Sequence, residues 1–531
     1  MSNPQKEQNF LQGTAILAIA TAVVKLIGAI YKIPLNAIIG AKGFGYFTTA
    51  YEIYNILLMI STAGLPVAMS RMIAQANSLG QYNQVRRIYA TARDIFLGIG
   101  IVGSLLMTLF CRQLAAFQNQ PDAWAAIGCL GPCVLLICLM STYRGFFQGQ
   151  GNMLPTSISQ ILEAIVKLIV GIFAALVLLK TTNSIPLAAG GAILGVTASC
   201  LVSSMYLSGK FRKSYAQLPE SQEQPRSRSA TAKSLLMIAI PITVGSAVLQ
   251  VITALSSKIY MGQLLGSGIT QASADVMRGV HTMTQTIFNM PCAFITPITV
   301  SIIPAITAKL ARDDNAGARS IEESAARITG LIAMPCTFGL ALLAEPVTAL
   351  LGGYSGEQLV LSTRMMTVLG ITILFNAVTL VTTAIMQAHG HVNRPVINMF
   401  LGGLLKLVVV YTLTGIPAFG IVGTPIATMS SYILISVLNL ISLKKLLPDS
   451  PAIVKNLARS FLAACVMGVF VWLSFMGLKL AGISSRILRC GVPILIGVIV
   501  YLLAGIRVKF ITREDCLLLP KGEKIAKFLK L

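Results

Sequence analysis

The run from Leu168 to Leu179, LIVGIFAALVLL, has no polar side chain, and runs like it recur along nearly the whole chain. A bilayer hydrocarbon core of about 30 Å is crossed by about 20 helical residues. On that ruler, spans are expected near 11–34, 44–70, 92–111, 124–147, 155–180, 185–208, 234–261, 271–309, 326–349, 360–388, 395–415, 418–443, 456–478 and 487–506. The runs are continuous rather than alternating, which excludes a β-barrel. Only 11% of the 531 residues are charged, against about 25% in soluble domains. The fold class is therefore all-α polytopic membrane protein with 14 transmembrane helices. The first run begins near Phe10 and is too long for the apolar region of a signal peptide, so it reads as a signal-anchor span. The 271–309 stretch is long enough to tilt or break, and Pro291, Pro297 and Pro304 give it reason to.

A net charge of +23 on a soluble domain would point to nucleic acid. Here the basic residues lie in loops between apolar spans, so no nucleic-acid partner is expected. In alternate loops, 28 Lys and Arg fall on the side of the N-terminus and 8 on the other. The positive-inside rule then places both termini in the cytoplasm of a multi-pass plasma-membrane protein. The ten cysteines lie mostly within or beside apolar runs and form no CxxC pair, so they read as small buried hydrophobes. His389 and His391 have no Cys or carboxylate close in sequence, and neither a metal nor a cofactor is expected.

The second half repeats the first. Gln148, Gly151, Lys167 and Leu168 match Gln387, Gly390, Lys406 and Leu407 at an offset of 239, while Pro155 matches Pro395 with a one-residue slip. Pro66 and Ser70 match Pro297 and Ser301 at an offset of 231. The chain then divides into an N-lobe at 1–209 (spans 1–6), a polar linker at 210–232, a C-lobe at 233–445 (spans 7–12), spans 13 and 14 within 446–506, and a basic tail at 507–531. Six spans per lobe is an even number, so the two repeats are parallel. Transporters of that build hold substrate between halves that rock against each other.

Charges inside spans need partners or water. Lys25, Glu52, Glu163, Lys167, Arg278 and Lys406 facing lipid would together cost on the order of 15–20 kcal/mol. Lys167 lies 12 residues past Pro155, roughly 18 Å into its helix, and Lys406 lies at nearly the same depth in the second repeat. Glu163 precedes Lys167 by four residues, the favourable order for a helical ion pair. Its counterpart at Lys406 is Gly402, which makes Lys406 the better candidate for an anion ligand. Glu52 is expected to neutralise Lys25. Lys32 lies nearer the surface, and Arg278 with His281 marks one face of span 8. Lys258 is a borderline fifth cation. This excess of cations favours an anionic substrate, and a diphosphate suits ammonium and guanidinium groups. Lys25, Lys32, Glu52, Glu163, Lys167, Arg278 and Lys406 are thus the candidate substrate-binding residues, and none is catalytic.

Three stretches carry a family resemblance: KLIGAIYKIPLNAIIGAKGFGYFTTAYEIYN (25–55), STAGLPVAMSRMIAQ (61–75) and FFQGQGNMLPTSISQILEAIVKLIVG (146–171). They resemble the stage V sporulation protein B and YtgP-like group of polysaccharide transporters, in the superfamily of MATE exporters and MurJ lipid II flippases. Two departures are Lys42, where the group commonly has acids, and Glu52, where a proline is common. The resemblance implies a flippase, working as a monomer among membrane lipids. It would move an undecaprenyl-diphosphate-linked saccharide, lipid II foremost, for cell-wall polysaccharide synthesis. It also implies two rocking six-helix lobes, with spans 13 and 14 holding the lipid tail. A MATE-like multidrug or cation antiporter is the alternative, but it wants acidic, aromatic-lined pockets. A polyprenyl-linked glycan polymerase or ligase is the second alternative, but the outer loops are too short to carry its catalytic groups.

Overall fold

A backbone surrounded by hydrocarbon must satisfy its own hydrogen bonds, and in the computed structural model, which describes residues 4–447 and 451–508, it does so as helix. In chain order the helices are α1 (Pro4–Met59), α2 (Leu65–Ser78), α3 (Tyr82–Leu109), α4 (Cys111–Phe117), α5 (Trp124–Gly149), α6 (Leu154–Thr182), α7 (Ile185–Ala216), α8 (Arg228–Gly266), α9 (Gln271–Leu310), α10 (Asn315–Leu342), α11 (Ala344–Leu351), α12 (Gly356–Ala388), α13 (Asn393–Thr414), α14 (Gly423–Leu446), α15 (Ile453–Leu480) and α16 (Arg486–Val508). No strand is present among the described residues. Eleven of these helices, counted among the described residues, are long and apolar enough to cross a membrane; α1 and α9 are outside that count.

The expected gap between the first two spans is a kink. α1 is two helical stretches joined at Gly40, whose φ of 69° and ψ of 173° leave the helical region for one that essentially only glycine reaches. A π-helical turn at Ile60–Gly64 then leads into α2. α9 runs as helix from Gln271 to Leu310, so its prolines do not interrupt it.

The chain forms two compact units, Met1–Gly279 and Val280–Leu531, so the linker lies inside the first. In that unit α6 packs on α7 and α1, and α5 packs on α2, α3 and α7. Membrane helices gain no hydrophobic drive from leaving lipid, so small residues that let backbones approach carry much of the packing. A Cβ on Gly195 of α7 would overlap the backbone of Gly171 on α6, and one on Gly279 of α9 would overlap the Ala41 carbonyl of α1. In the second unit α13 packs on α14, α12 on α10 and α14, and α15 on α10 and α16.

The turns that lead into α6 and α13 have the same backbone. Gly151 (φ 77°) and Gly390 (φ 83°) adopt the left-handed conformation that closes helices without a Cβ penalty. The amides of Gly151 and Asn152 bond the carbonyls of Gln148 and Phe147 at 3.0 and 2.9 Å; those of Gly390 and His391 bond Gln387 and Met386 at 3.0 and 2.9 Å.

Candidate functional site

Each helix bearing a candidate cation has two unlike faces. On α6, Ile165, Ile169, Phe173 and Val177 are exposed large apolar residues, while Ala164, Gly171 and Ala175 are buried. Lys167 lies three residues after Ala164 and four before Gly171, on the buried stripe. On α13, Leu401, Leu404, Val408 and Tyr411 are exposed, whereas Gly402, Gly403 and Val410 are buried, and Lys406 falls with the latter. On α1, Lys32 is three and four residues before buried Leu35 and Asn36. All three lysines are half-buried on the inward faces of their own helices rather than on the apolar ones.

Lys32 and Lys167 lie close enough to repel each other. Glu163 does not neutralise Lys167. Its carboxylate accepts from Arg144 Nη2 at 3.1 Å, and the Arg144 Nε donates to Ser159 Oγ at 3.1 Å. No ion pair joins Glu163 to Lys167 among the described residues. An i,i+4 pair contributes only about 0.2–0.5 kcal/mol, and the fixed fork of a neighbouring guanidinium, bonding acid and hydroxyl together, outcompetes it. In the second unit the place of Glu163 is taken by Gly402 because α14 comes close there: a Cβ would overlap Ile435.

Glu52 also has a partner that sequence spacing does not reveal. It accepts from Arg278 Nη2 at 2.7 Å and from Ser257 Oγ at 2.8 Å. The Arg278 guanidinium, wholly buried, lies 5.7 Å from the centre of the Tyr260 ring. The Lys25 side chain, its expected partner, lies outside the described residues. Lys258 places its ammonium 3.6 Å from the centre of the Phe117 ring. His389, expected to lack a carboxylate, contacts Glu322 at 2.7 Å across 67 residues of sequence.

A second polar group is absent from the sequence expectations. Asp275 on α9, 1% exposed, accepts from Tyr46 OH at 2.9 Å, Gln120 Nε2 at 3.1 Å and Gln271 Nε2 at 2.8 Å. The signal was available: Asp275 is an acid inside an expected span, as informative as Glu52. Arg144 was not accessible in that way, because it sits at the end of its span.

The geometry is thus two like-charged lysines on inward helix faces, with Glu163, one turn before Lys167, already engaged by Arg144. Known proteins share this chain's architecture. It is 25% identical over 471 residues to stage V sporulation protein B of Bacillus subtilis (strain 168), covering 87% of this chain and 88% of that protein. It is 24% identical over 531 residues to the lipid II flippase MurJ of the same organism, covering 95% and 96%. A solved structure of lipid II flippase MurJ in an inward closed conformation superposes with a TM-score of 0.71 at 14% identity, covering 92% of this chain and 98% of that one. An inward-facing MATE family multidrug resistance transporter of the MOP superfamily gives 0.66 at 14% identity, covering 79% and 97%. The family model described as polysaccharide biosynthesis protein matches residues 10–309, more than half of the chain. This multi-pass membrane protein, built on the fold of MurJ and MATE transporters, belongs to the polysaccharide biosynthesis protein family.

Proposed function

We propose that this protein is a flippase for an undecaprenyl-diphosphate-linked saccharide, lipid II foremost, and that it works by alternating access in the plasma membrane. The observation that carries this reading is the pair Lys32 and Lys167, close enough to repel each other, with Glu163 bonded to Arg144 instead of Lys167. Two ammonium groups kept close in a low-dielectric setting repel each other, and a phosphorylated headgroup between them turns that repulsion into two charge-assisted hydrogen bonds. Lys25 and Lys406 are proposed as further cations of the substrate path, with Arg278, Glu52 and Glu163 as charges bordering it. The proposed frame is 14 spans, both termini in the cytoplasm, two six-helix lobes at 1–209 and 233–445, and an added helix pair whose exposed apolar faces meet lipid.

The test is complementation of a strain depleted of its lipid II flippase, with lipid II measured separately in each leaflet. Losing a charge-assisted hydrogen bond removes about 1.5–3 kcal/mol, so Lys167→Ala and Lys32→Ala should each slow translocation about tenfold or more, with Lys167→Arg retaining most of the rate. Wild-type flipping by both alanine variants would end the reading. The MATE-like fold match supports a cation antiporter as the second reading. Export of organic cations without movement of lipid-linked saccharide would establish that instead.

A further inference from the structure

Tyr46 sits between two carboxylates. Its hydroxyl oxygen is 2.9 Å from Oδ2 of Asp275 on α9 and 3.0 Å from Oδ2 of Asp122 in the short turn before α5. Tyr46 is wholly buried, whereas the Asp122 side chain is 52% exposed. A phenol carries a single proton. With both carboxylates ionised, Tyr46 donates fully to one of them, and its other contact sets lone pair against lone pair. Both contacts become full hydrogen bonds when one carboxyl is protonated, because that acid then donates to the tyrosine oxygen.

One proton shared by the two acids satisfies both contacts, whichever of them holds it. Asp275 is 1% exposed, and burial favours its neutral form, against the three donors Gln120, Gln271 and Tyr46, which favour the charged one. Asp122, besides Tyr46, faces the Lys42 ammonium at 3.9 Å. Other charged groups around the triad are Arg278 on α9, near enough to Asp275 to interact electrostatically, Glu52 on α1, bonded to Arg278, and Lys258 on α8, whose backbone oxygen accepts from Asn119 at 3.3 Å. The turn itself is tied to α1 and α9 by Thr49 bonding Gln120 and by Gln271 Nε2 donating to the Asn119 carbonyl at 2.9 Å. Tyr46 is the contact through which a proton on either acid is felt by all three elements.

We propose that Asp122, Tyr46 and Asp275 form a proton-operated latch. Uptake of one proton by the Asp122–Asp275 pair closes residues 118–123 onto α1 and α9, and its loss loosens them. On the orientation proposed above, this turn faces the outside, so the latch gives the transporter a step that responds to external acidity.

The latch is tested on full-length protein in nanodiscs, without any lipid-linked substrate, so the outcome is independent of the flippase reading. The chain has two tryptophans, and one, Trp124, begins α5 beside the latch. In a Trp472→Phe background, the Trp124 emission should titrate between two forms as pH is lowered. Asp122→Asn, a neutral side chain that still donates to Tyr46, should hold the low-pH form at every pH. Tyr46→Phe should hold the high-pH form. Infrared difference spectra provide a second readout that does not depend on the fluorophore. The carboxyl C=O band that appears on acidification should be lost in Asp122→Asn and shifted in Tyr46→Phe. A wild-type emission insensitive to pH, an Asp122→Asn titration like that of wild type, or a carboxyl band that neither substitution alters would each overturn the proposal.

Discussion

Arg278 is the largest wholly buried side chain among the described residues, and Glu52 makes its charge tolerable there. Removing one member of a buried ion pair leaves the other uncompensated, at a cost of about 3–5 kcal/mol. Arg278→Ala should therefore lower stability by about that amount in detergent unfolding. The double change with Glu52→Gln should cost less than the sum of the two single changes, as coupled groups do. Gly279 tests close packing at the same scale. A methyl there meets the Ala41 carbonyl, so Gly279→Ala should destabilise by about 1–3 kcal/mol. Gly209→Ala, an exposed position inside α7 with nothing within 4 Å of the new Cβ, should stabilise by about 0.5–1 kcal/mol. Thermal unfolding of the two variants side by side separates crowding from helix propensity.

Among the elements, the polar segment between α7 and α8 behaves as a strap rather than a free linker. The Glu223 carboxylate accepts from the Gln84 amide at 2.7 Å, filling an open donor at the start of α3, and the Gln84 side chain accepts in return from the Arg226 amide at 2.8 Å. Asn83 donates to the carbonyls of Ser221 and Glu223, and Arg86 donates to that of Leu218. Partial desolvation raises the Glu223 pKa, but the Ser221 hydroxyl and backbone amides outweigh it and hold the carboxyl below its usual range. A depressed carboxylate pKa stabilises the docked state above the unfolded value of about 4.3 and stops doing so as pH falls through the folded value. The strap should stay protected from an acid-active protease above about pH 4.3 and be cut between α7 and α8 as pH falls further. Glu223→Ala should be cut there already at neutral pH. Equal protection of variant and wild type would show that the acid does not hold the strap.

For the whole molecule, orientation is the property that every transport model needs. The 28-to-8 asymmetry of Lys and Arg predicts that reporter fusions in the 217–227 strap and after the last helix are cytoplasmic. Fusions at 118–123 and 350–359 should be external. A cytoplasmic reporter at 118–123 would reverse the side from which the Tyr46 latch reads pH. Much of this architecture was legible in the sequence. The expected spans 124–147, 155–180 and 456–478 correspond to α5 at Trp124–Gly149, α6 at Leu154–Thr182 and α15 at Ile453–Leu480. The first two spans were harder to separate, because Gly40 bends a helix without supplying the polar loop that marks a boundary. Lys167 and Lys406 were legible as candidates because a lone cation in an apolar run stands out. Arg144 at a span end and Asp122 in a turn resemble ordinary solvated charges.

The sequence by itself determined where the chain turns and which stretches are helix, since hydropathy, proline and left-handed glycine act within a few residues and in lipid a helix must satisfy its own backbone. Only the tertiary structure decided which charges meet. Glu163 reaches Arg144 rather than Lys167, Glu52 reaches Arg278, and Tyr46 is shared by acids 153 residues apart in sequence. Those pairings depend on the rotation and depth of each helix, fixed where Gly171, Gly195 and Gly279 let backbones approach closely, and spacing along one chain does not encode them.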